Sequence, residues 1–551
     1  MTIIEDSGRV PLQKPTFFAI LDSNQCDTLS FPEAISWCAK AEEEALIYIL
    51  GLRRFQNSKA WVNRLPAELL VQILLYLVPP EAYEFQAWIH LTHVCSYWRN
   101  VALRRPKFWT HVDLTQEACA RTFLERSADA EIHIYWMDGP GDLRILSHLC
   151  HHADRIASIT VKEESRDVTP ILAMLNFSLP SLRAMTICAN KYTASGNREG
   201  IACIPGASDS QRLTSLSLHS LVIPWTSTLY AGLQHLELRN QNRHWIQPSL
   251  TEFLDILDAC PGLVTLTVAL AGPTFGRTWE RTKRMVQLRN CRCLTIHNEP
   301  HDVAGLLSLL VLPATASLEV CAPADVSCRG DELLTCFPSN RSHMGAFSCV
   351  TRLSVTFRIG HVPKMVQLTA TKPSETSEEV SISAGVQGAT FSYNVQPFQA
   401  FFSTIGTLFA QSPIEELNVD GDIGFMDDLD WYGVLGKFKK LTRLEIGSKD
   451  MPVMRTNTSL DVLRDLCTPD FSWQSLACSD LSQLMLYFRT DHWESDLLPM
   501  LRRTLSSRAQ RDAHLARLEV FITGRYDEHY HRLHEYPGLI KTLEDGLPLE
   551  A

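Results

Sequence analysis

Long apolar runs are missing from this sequence of 551 residues. No segment approaches the ~20 apolar residues that a membrane-spanning helix needs, and the longest apolar run, 305–312, ends at Pro313. The first ten residues include Glu5 and Asp6 and hold no apolar core of signal-peptide length. We therefore expect neither a secretory signal nor a membrane partner.

Paired cysteines and familiar catalytic motifs are missing too. The 16 cysteines are scattered without a CxxC pair, which gives a zinc framework no support and favours reduced thiols in the cytoplasm, the nucleus or both. The sequence contains no GxxxxGK[ST] phosphate loop, GxSxG elbow, HExxH helix or GxGxxG turn. We expect no catalytic residue, no cofactor and no metal, and hence a protein that is not an enzyme.

Two histidine clusters have residue types that could bind a metal ion. One holds His148, Cys150, His151 and His152, and the other, 529–534, holds three histidines among acidic residues. Helical spacing could bring such side chains together. Exposed histidines on an amphipathic helix explain both clusters more simply.

Basic residues are fewer than acidic ones, 51 Lys and Arg against 62 Asp and Glu. The formal net charge is -11 at pH 7, so the sequence does not predict nucleic acid as a partner. Hydrophobic residues make up 45% and charged residues 21%, the balance of an ordinary globular chain with enough apolar side chains for a core.

The N-terminal part is predicted to be helical after a flexible tail over 1–30. Pro32 and Glu33 suit a first helical turn, and apolar residues then recur at three-to-four spacing through 31–59. This leading helix either binds a partner or packs on its own neighbour.

Residues 61–110 form a predicted helical block. Pro66 begins a helix whose apolar face precedes Pro79-Pro80, and further apolar segments span 85–94 and 95–103. So short a unit buries little by itself, which leaves apolar surface for a partner.

Here the sequence resembles the F-box family, in "NRLPAELLVQILLYLV" followed by "LTHVCSYWRNVALRRPKFWTHVDL". The leading helix and the later "FLERSADAEIHIYW" resemble the longer layout of fungal F-box proteins. One departure is the long stretch 77–94, which carries Pro79-Pro80 and Trp88 and concerns the second helix of the pattern. The resemblance implies docking on the Skp-type linker of a cullin–RING ubiquitin ligase. The residues expected to bind the linker are Leu65, Pro66, Glu68, Leu69, Ile73, Leu74, Leu77, Val94 and Trp98, although Trp98 could equally be core.

The rest of the chain repeats an apolar-x-x-apolar-x-apolar motif. Its first copies begin at 156, 182, 213, 233, 263 and 291, which are steps of 26, 31, 20, 30 and 28 residues. That period is typical of leucine-rich repeats, somewhat stretched, and the usual asparagine ladder is missing. Each motif predicts a short strand, and segments such as "PSLTEFLDILDACPGL" predict helices between strands. The predicted fold is α/β: an N-terminal helical F-box over 60–110, then an irregular leucine-rich-repeat-like α/β solenoid over 111–551.

One step is too long for a single repeat. Between Val350 and Ile414 lies a segment rich in Thr, Ser, Glu and Gly, and 369–395 is interpreted as an inserted mobile loop or hairpin, either a solvated excursion or a phosphorylated or partner-binding loop. We expect 369–390 to be mobile and not required for folding.

The outward face of the strands is the expected client site. Positions between the apolar residues of each motif should line up across neighbouring strands. These are Ser217, Glu237, Thr267, Thr295, Asn418, Glu445 and Met485, and the acidic stretch adds Asp420 and Asp422.

The leading hypothesis is a substrate-recognition adaptor of an SCF-type ubiquitin ligase, with the linker and cullin as partners and an unknown protein as client. The alternative is a non-catalytic scaffold whose F-box-like helices recruit no cullin. An enzyme built on the repeats is the third hypothesis.

Overall fold

The computed structural model divides the chain into two compact units, Met1–Thr160 and Val161–Ala551. The described residues are 30–77, 87–138, 144–163, 165, 167–189, 204, 212–241, 247–275, 284–323, 335–358, 364–372, 380–388, 396–421, 423, 429–447, 463–466, 478–489, 497–523 and 531–532.

The predicted helices over 31–59, after Pro66, after Ser249 and before Ile414 are present among the described helices. The described helices are α1 (Phe31–Lys59), α2 (Ala67–Tyr76), α3 (Ser96–Leu103), α4 (Glu117–Arg126), α5 (Arg144–Leu149), α6 (Thr169–Met174), α7 (Leu250–Asp258), α8 (Pro300–Leu309), α9 (Gln396–Leu408), α10 (Trp431–Leu435) and α11 (Leu498–Ala509).

The described strands are mostly short. They are β1 (His111–Asp113), β2 (Ile132–Trp136), β3 (Ile156–Glu163), β4 (Ala184–Ala189), β5 (Ser215–His219), β6 (His235–Arg239), β7 (Thr265–Ala269), β8 (Val286–Gln287), β9 (Cys293–His297), β10 (Leu310–Val311), β11 (Ser317–Pro323), β12 (Arg352–Arg358), β13 (Lys364–Lys372), β14 (Val380–Gly388), β15 (Glu416–Gly421), β16 (Arg443–Ile446), β17 (Gln483–Arg489), β18 (Arg517–Thr523) and β19 (His531–Arg532).

The core of the first unit is aromatic. Trp88 stacks on Phe108 with ring centroids 5.5 Å apart and meets the edge of Trp109 at 5.0 Å. The Trp109 indole donates to the Ala102 carbonyl at 3.0 Å, so its buried N–H has a partner. The segment that holds Trp88 is a 3₁₀ helix, Ala87–His93, at the place where the sequence departs from the F-box pattern.

In the second unit, parallel strands pair in chain order from β4 through β5, β6, β7 and β9 to β11, and again from β12 through β15, β16 and β17 to β18. Each predicted motif buries its apolar residues, as with Leu236 and Leu238 of β6. The predicted helix over α7 is confirmed: Ser249 caps it by accepting from the Glu252 N–H at 3.2 Å.

The turn after the strand repeats in successive units. Ser220, Asn240 and Leu270 follow β5, β6 and β7 directly, and each has a positive φ of 50–56°. Their N–H groups donate to the carbonyls of Arg239, Ala269 and His297 on the next strand at 2.7–2.8 Å. The same left-handed residue therefore ends each of these strands and continues the ladder.

For the described residues of 369–395 the hairpin alternative is confirmed, whereas mobility and dispensability for folding stay predictions. β13 and β14 form an antiparallel hairpin that lies within the sheet, with β14 parallel to β11 and β13 antiparallel to β12. The side chains of Leu368, Ala370, Ile382 and Ala384 are fully buried. The hairpin therefore joins the two parallel runs of strands.

Candidate functional site

The α2 helix divides its apolar residues between two faces. Leu70 and Leu74, one turn apart, are buried in the first unit, with Leu74 only 2% exposed. Leu69 and Ile73, also one turn apart, are exposed, and Ile73 has 44% of its surface in solvent. One helix therefore supplies both the core and an apolar surface.

Further exposed apolar residues accompany this face. Leu77 and Val94, both expected to bind a linker, are exposed, and so are Trp61 and Tyr76. Trp61 and Tyr76 were not among the predicted site residues. Tyr76 follows Ile73 by three residues, a helical spacing that was a usable signal.

The structure corrects one member of the expected linker site. Leu74 is core, because its position one turn after Leu70 points it into the unit, so its side chain cannot meet a partner directly. Pro66 and Glu68 are exposed, Leu65 is half-buried, and the Glu68 carboxylate lies 3.8 Å from the Arg105 guanidinium.

Hydrogen bonds fix the loop before α2 to α3. The Trp98 indole donates to Asn63 Oδ1 at 2.6 Å, and the Tyr97 hydroxyl donates to the Leu65 carbonyl at 2.9 Å. Trp98 is half-buried, so it positions the loop while keeping part of its ring accessible. The packing role of Trp98 is therefore supported, and linker binding by Trp98 stays a prediction.

In the second unit, the strand positions between the apolar motif residues form a continuous row in register, in which Ser217, Thr295 and Glu519 are buried, Glu319 is exposed and the other members are half-buried. The row passes in order through Thr186, Ser217, Glu237, Thr267, Thr295, Glu319, Ser383, Thr369, Ser354, Asn418, Glu445, Met485 and Glu519. The predicted alignment across strands is therefore confirmed, and client binding there stays a prediction. Asp420 lies on β15 two residues after Asn418, and Asp422 lies outside the described residues.

A hydrogen-bonded cluster occupies β5 and β6 on this face. The Ser217 hydroxyl donates to Glu237 Oε2 at 2.7 Å and lies 3.0 Å from His219 Nε2. Hydrogen bonds to Cys188 and Glu237 raise the pKa of His219 to about 9. Hydrogen bonds from His219, Ser217 and Arg239 lower the pKa of Glu237 to about 2, against the effect of burial. The cluster is therefore an imidazolium–carboxylate pair at neutral pH.

Later strands carry a second set of ion pairs. Arg443 Nη2 lies 3.1 Å from Glu445 two residues along β16, and Arg517 pairs with Glu519 in the same way on β18. The carboxylates of Glu237, Glu445 and Glu519 are therefore each paired with an arginine on their own strand.

The described residues contain no group of three or more His, Cys, Asp or Glu side chains that could hold a metal ion. His148 instead lies 2.7 Å from Arg121 Nη2, and His529 and His534 lie outside the described part of the chain. No described helix is long and apolar enough to cross a membrane.

A comparison with family models matches residues 62–115 to the family described as F-box-like. A search of curated proteins finds no match. The matched range covers α2, α3, the Trp88 core and β1, which is the region that exposes Leu69 and Ile73. The chain therefore carries an F-box-like domain at 62–115, which supports an F-box protein.

Proposed function

We propose that the chain is a substrate-recognition adaptor of an SCF-type ubiquitin ligase. The observation that carries the proposal is the exposed apolar face of α2, inside the range that matches the F-box-like family. F-box domains typically bind Skp-type linkers, and an apolar face rimmed by charges is the surface that such a contact needs.

The adaptor acts by tethering and not by chemistry. The linker and cullin bring the conjugating enzyme, and the sheet face of the second unit holds a protein client at high effective concentration beside it. Adaptors of this kind need no catalytic residue or cofactor. The described cysteines are all free, which supports a place in the reducing cytoplasm or nucleus.

We assign client recognition to the row that runs through Glu237, Thr267, Asn418 and Glu445. Its support is the unbroken register across β6, β7, β15 and β16 with side chains of mixed chemistry. The repeated strand, turn and helix in this unit favour a leucine-rich-repeat-like array, which presents such a face.

Affinity purification of the full chain tests the proposal. The wild type should recover both a Skp-type linker and a cullin, and Ile73→Glu should lose both. Gln72→Glu is the matched control, because Gln72 is the exposed neighbour on α2 and its change adds the same charge. A wild type that recovers the linker without a cullin would favour the non-catalytic scaffold. A wild type that recovers neither would contradict the proposal.

A further inference from the structure

The α1 helix has no covered face among the described residues. It spans Phe31–Lys59, 29 residues, and none of its side chains is buried. Its exposed apolar residues are Phe31, Ile35, Leu46, Ile47, Ile49, Leu50, Leu52 and Phe55. Most helical stability in proteins comes from packing an apolar face, and a large exposed apolar surface marks an interaction site. The packing on a neighbouring helix that the sequence analysis considered is not found in the described part of the chain.

One stripe of α1 has the spacing of a coiled-coil seam. Successive members are four or three residues apart in strict alternation, as the a and d positions of heptads are. The members are Ile35, Ala39, Glu42, Leu46, Ile49, Arg53 and Gln56. Leu50 follows one residue after Ile49 and widens the apolar centre. Its large apolar members are Ile35, Leu46 and Ile49, so a second helix would make its apolar contact mainly at the centre of the stripe.

The charges of α1 divide along its length. The first half contains Glu33, Glu42, Glu43 and Glu44 with Lys40, and the second half contains Arg53, Arg54 and Lys59. Two copies that run antiparallel would place each acidic half beside a basic half. Two parallel copies would place like charges together, which is unfavourable.

The two charges inside the stripe give the register. Glu42 and Arg53 lie at equal distances on either side of the point between Ile47 and Tyr48. A twofold axis at that point puts Glu42 of one copy opposite Arg53 of the other, and Leu46 opposite Ile49. In the described residues neither Glu42 nor Arg53 has an ion-pair partner of its own. The self-complementary pattern matches a second copy of this chain.

We propose that two copies of this protein pair through α1 as an antiparallel two-stranded coiled coil. The helix is about 44 Å long at 1.5 Å per residue, and the stripe from Ile35 to Gln56 gives a seam of about three heptads. The pairing uses α1, whereas the expected linker residues lie on α2, α3 and the adjoining loops. The dimer therefore carries two F-box-like domains and two sheet faces, a bivalent arrangement for clients with repeated sites.

Sedimentation of the purified full chain over a range of concentrations tests the seam. The wild type should be dimeric, and Leu46→Glu should raise the dimer dissociation constant about a hundredfold, because each copy loses a buried Leu. Ile47→Glu is the matched control: it is the adjacent residue, 63% exposed against 57% for Leu46, and it lies off the stripe. It should change the constant by less than about threefold. A monomeric wild type, or equal effects of the two changes, would overturn the proposal.

A charge exchange tests the antiparallel register. Glu42→Arg should weaken the dimer about tenfold, because two attractive pairs become repulsive, and the double variant with Arg53→Glu should restore it. Parallel copies already oppose like charges, so there the single change would have no effect and the proposed orientation would be wrong. Ile73→Glu should leave the dimer intact while abolishing linker binding, so the proposed function and the dimer can fail independently.

Discussion

The two units use apolar residues differently. In the first unit, α2 buries Leu70 and Leu74 and exposes Leu69 and Ile73. In the second unit, apolar strand residues such as Leu417 and Val419 are buried, and the outward positions between them are polar. The first unit therefore presents an apolar surface and the second a polar one. A linker that binds by burial and a client that binds by polar contacts would each meet a suitable surface.

The largest expected effect breaks the sheet of the second unit. Leu368→Asp puts an unpaired charge into the buried face of β13 and should cost about 3–5 kcal/mol of unfolding free energy, enough to unfold the unit. Gln367→Asp, on the opposite face of the same strand and exposed, should cost less than about 1 kcal/mol. Chemical denaturation of the full chain measures both. Equal stability of the two variants would support the prediction that folding does not require this segment.

The next largest effect is the difference in stability change between substitutions on the buried and the exposed face of α2. Leu74→Ala removes buried methyl groups and should lower the unfolding free energy of the first unit by about 2–5 kcal/mol. Ile73→Ala, at an exposed position, should lower it by less than about 1 kcal/mol. Hydrogen exchange of peptides from the first unit reports both changes. A larger loss from Ile73→Ala would mean that the core and surface faces are exchanged.

Acid and base should act on different units. Burial and the nearby His133 lower the pKa of His111 to about 4. The folded first unit therefore favours the neutral imidazole, and its unfolding free energy falls as the pH drops from 6.5 toward 4. The pKa of His219 is raised to about 9, so the protonated imidazole stabilises the second unit below pH 6.5. This contribution is lost as the pH rises through 9. Each effect should be on the order of 1 kcal/mol after solvent screening.

The histidine variants check this pH contrast. His111→Gln should flatten the acid limb of hydrogen exchange in peptides of the first unit, and His219→Gln should flatten the alkaline limb in peptides of the second. A wild type whose two units lose stability on the same side of neutrality would contradict the assigned pKa directions.

The smallest effect concerns the ion pairs of the outward face. Glu445→Gln removes one partly exposed pair with Arg443 and should change the unfolding free energy by less than about 1 kcal/mol. Its effect on a client should be seen in the association rate and in the salt dependence. A thermal unfolding midpoint that drops by many degrees would show that the pair supports the fold instead.

Strands were the most predictable part of the chain, because their apolar positions repeat at a fixed spacing. The motif did not predict β11, because the polar residue Thr315 occupies its first position ahead of Leu318 and Val320. The hairpin β13–β14 was predicted only as one of two alternatives, because Ser, Thr and Glu are frequent in the segment. Its alternating buried residues, Leu368 with Ala370 and Ile382 with Ala384, were the better signal.

The sequence predicted that apolar residues of α2 form the candidate site, but it did not predict which of them are exposed. The apolar residues of α2 were identified together, but the sequence does not say which of two adjacent stripes meets the core, because that depends on where Trp88 and Phe108 pack. The outward row was predictable because side chains alternate along a strand. The pairing of His219 with Glu237 depends on the register between β5 and β6, which the sequence alone does not fix.

Titration of the purified full chain with a purified Skp-type linker tests the central claim most directly. The wild type should bind, Ile73→Glu should raise the dissociation constant at least about tenfold without changing the unfolding free energy of either unit, and Gln72→Glu should match the wild type. Unchanged affinity in Ile73→Glu, with the fold intact, would contradict the claim that the exposed face of α2 is the docking surface.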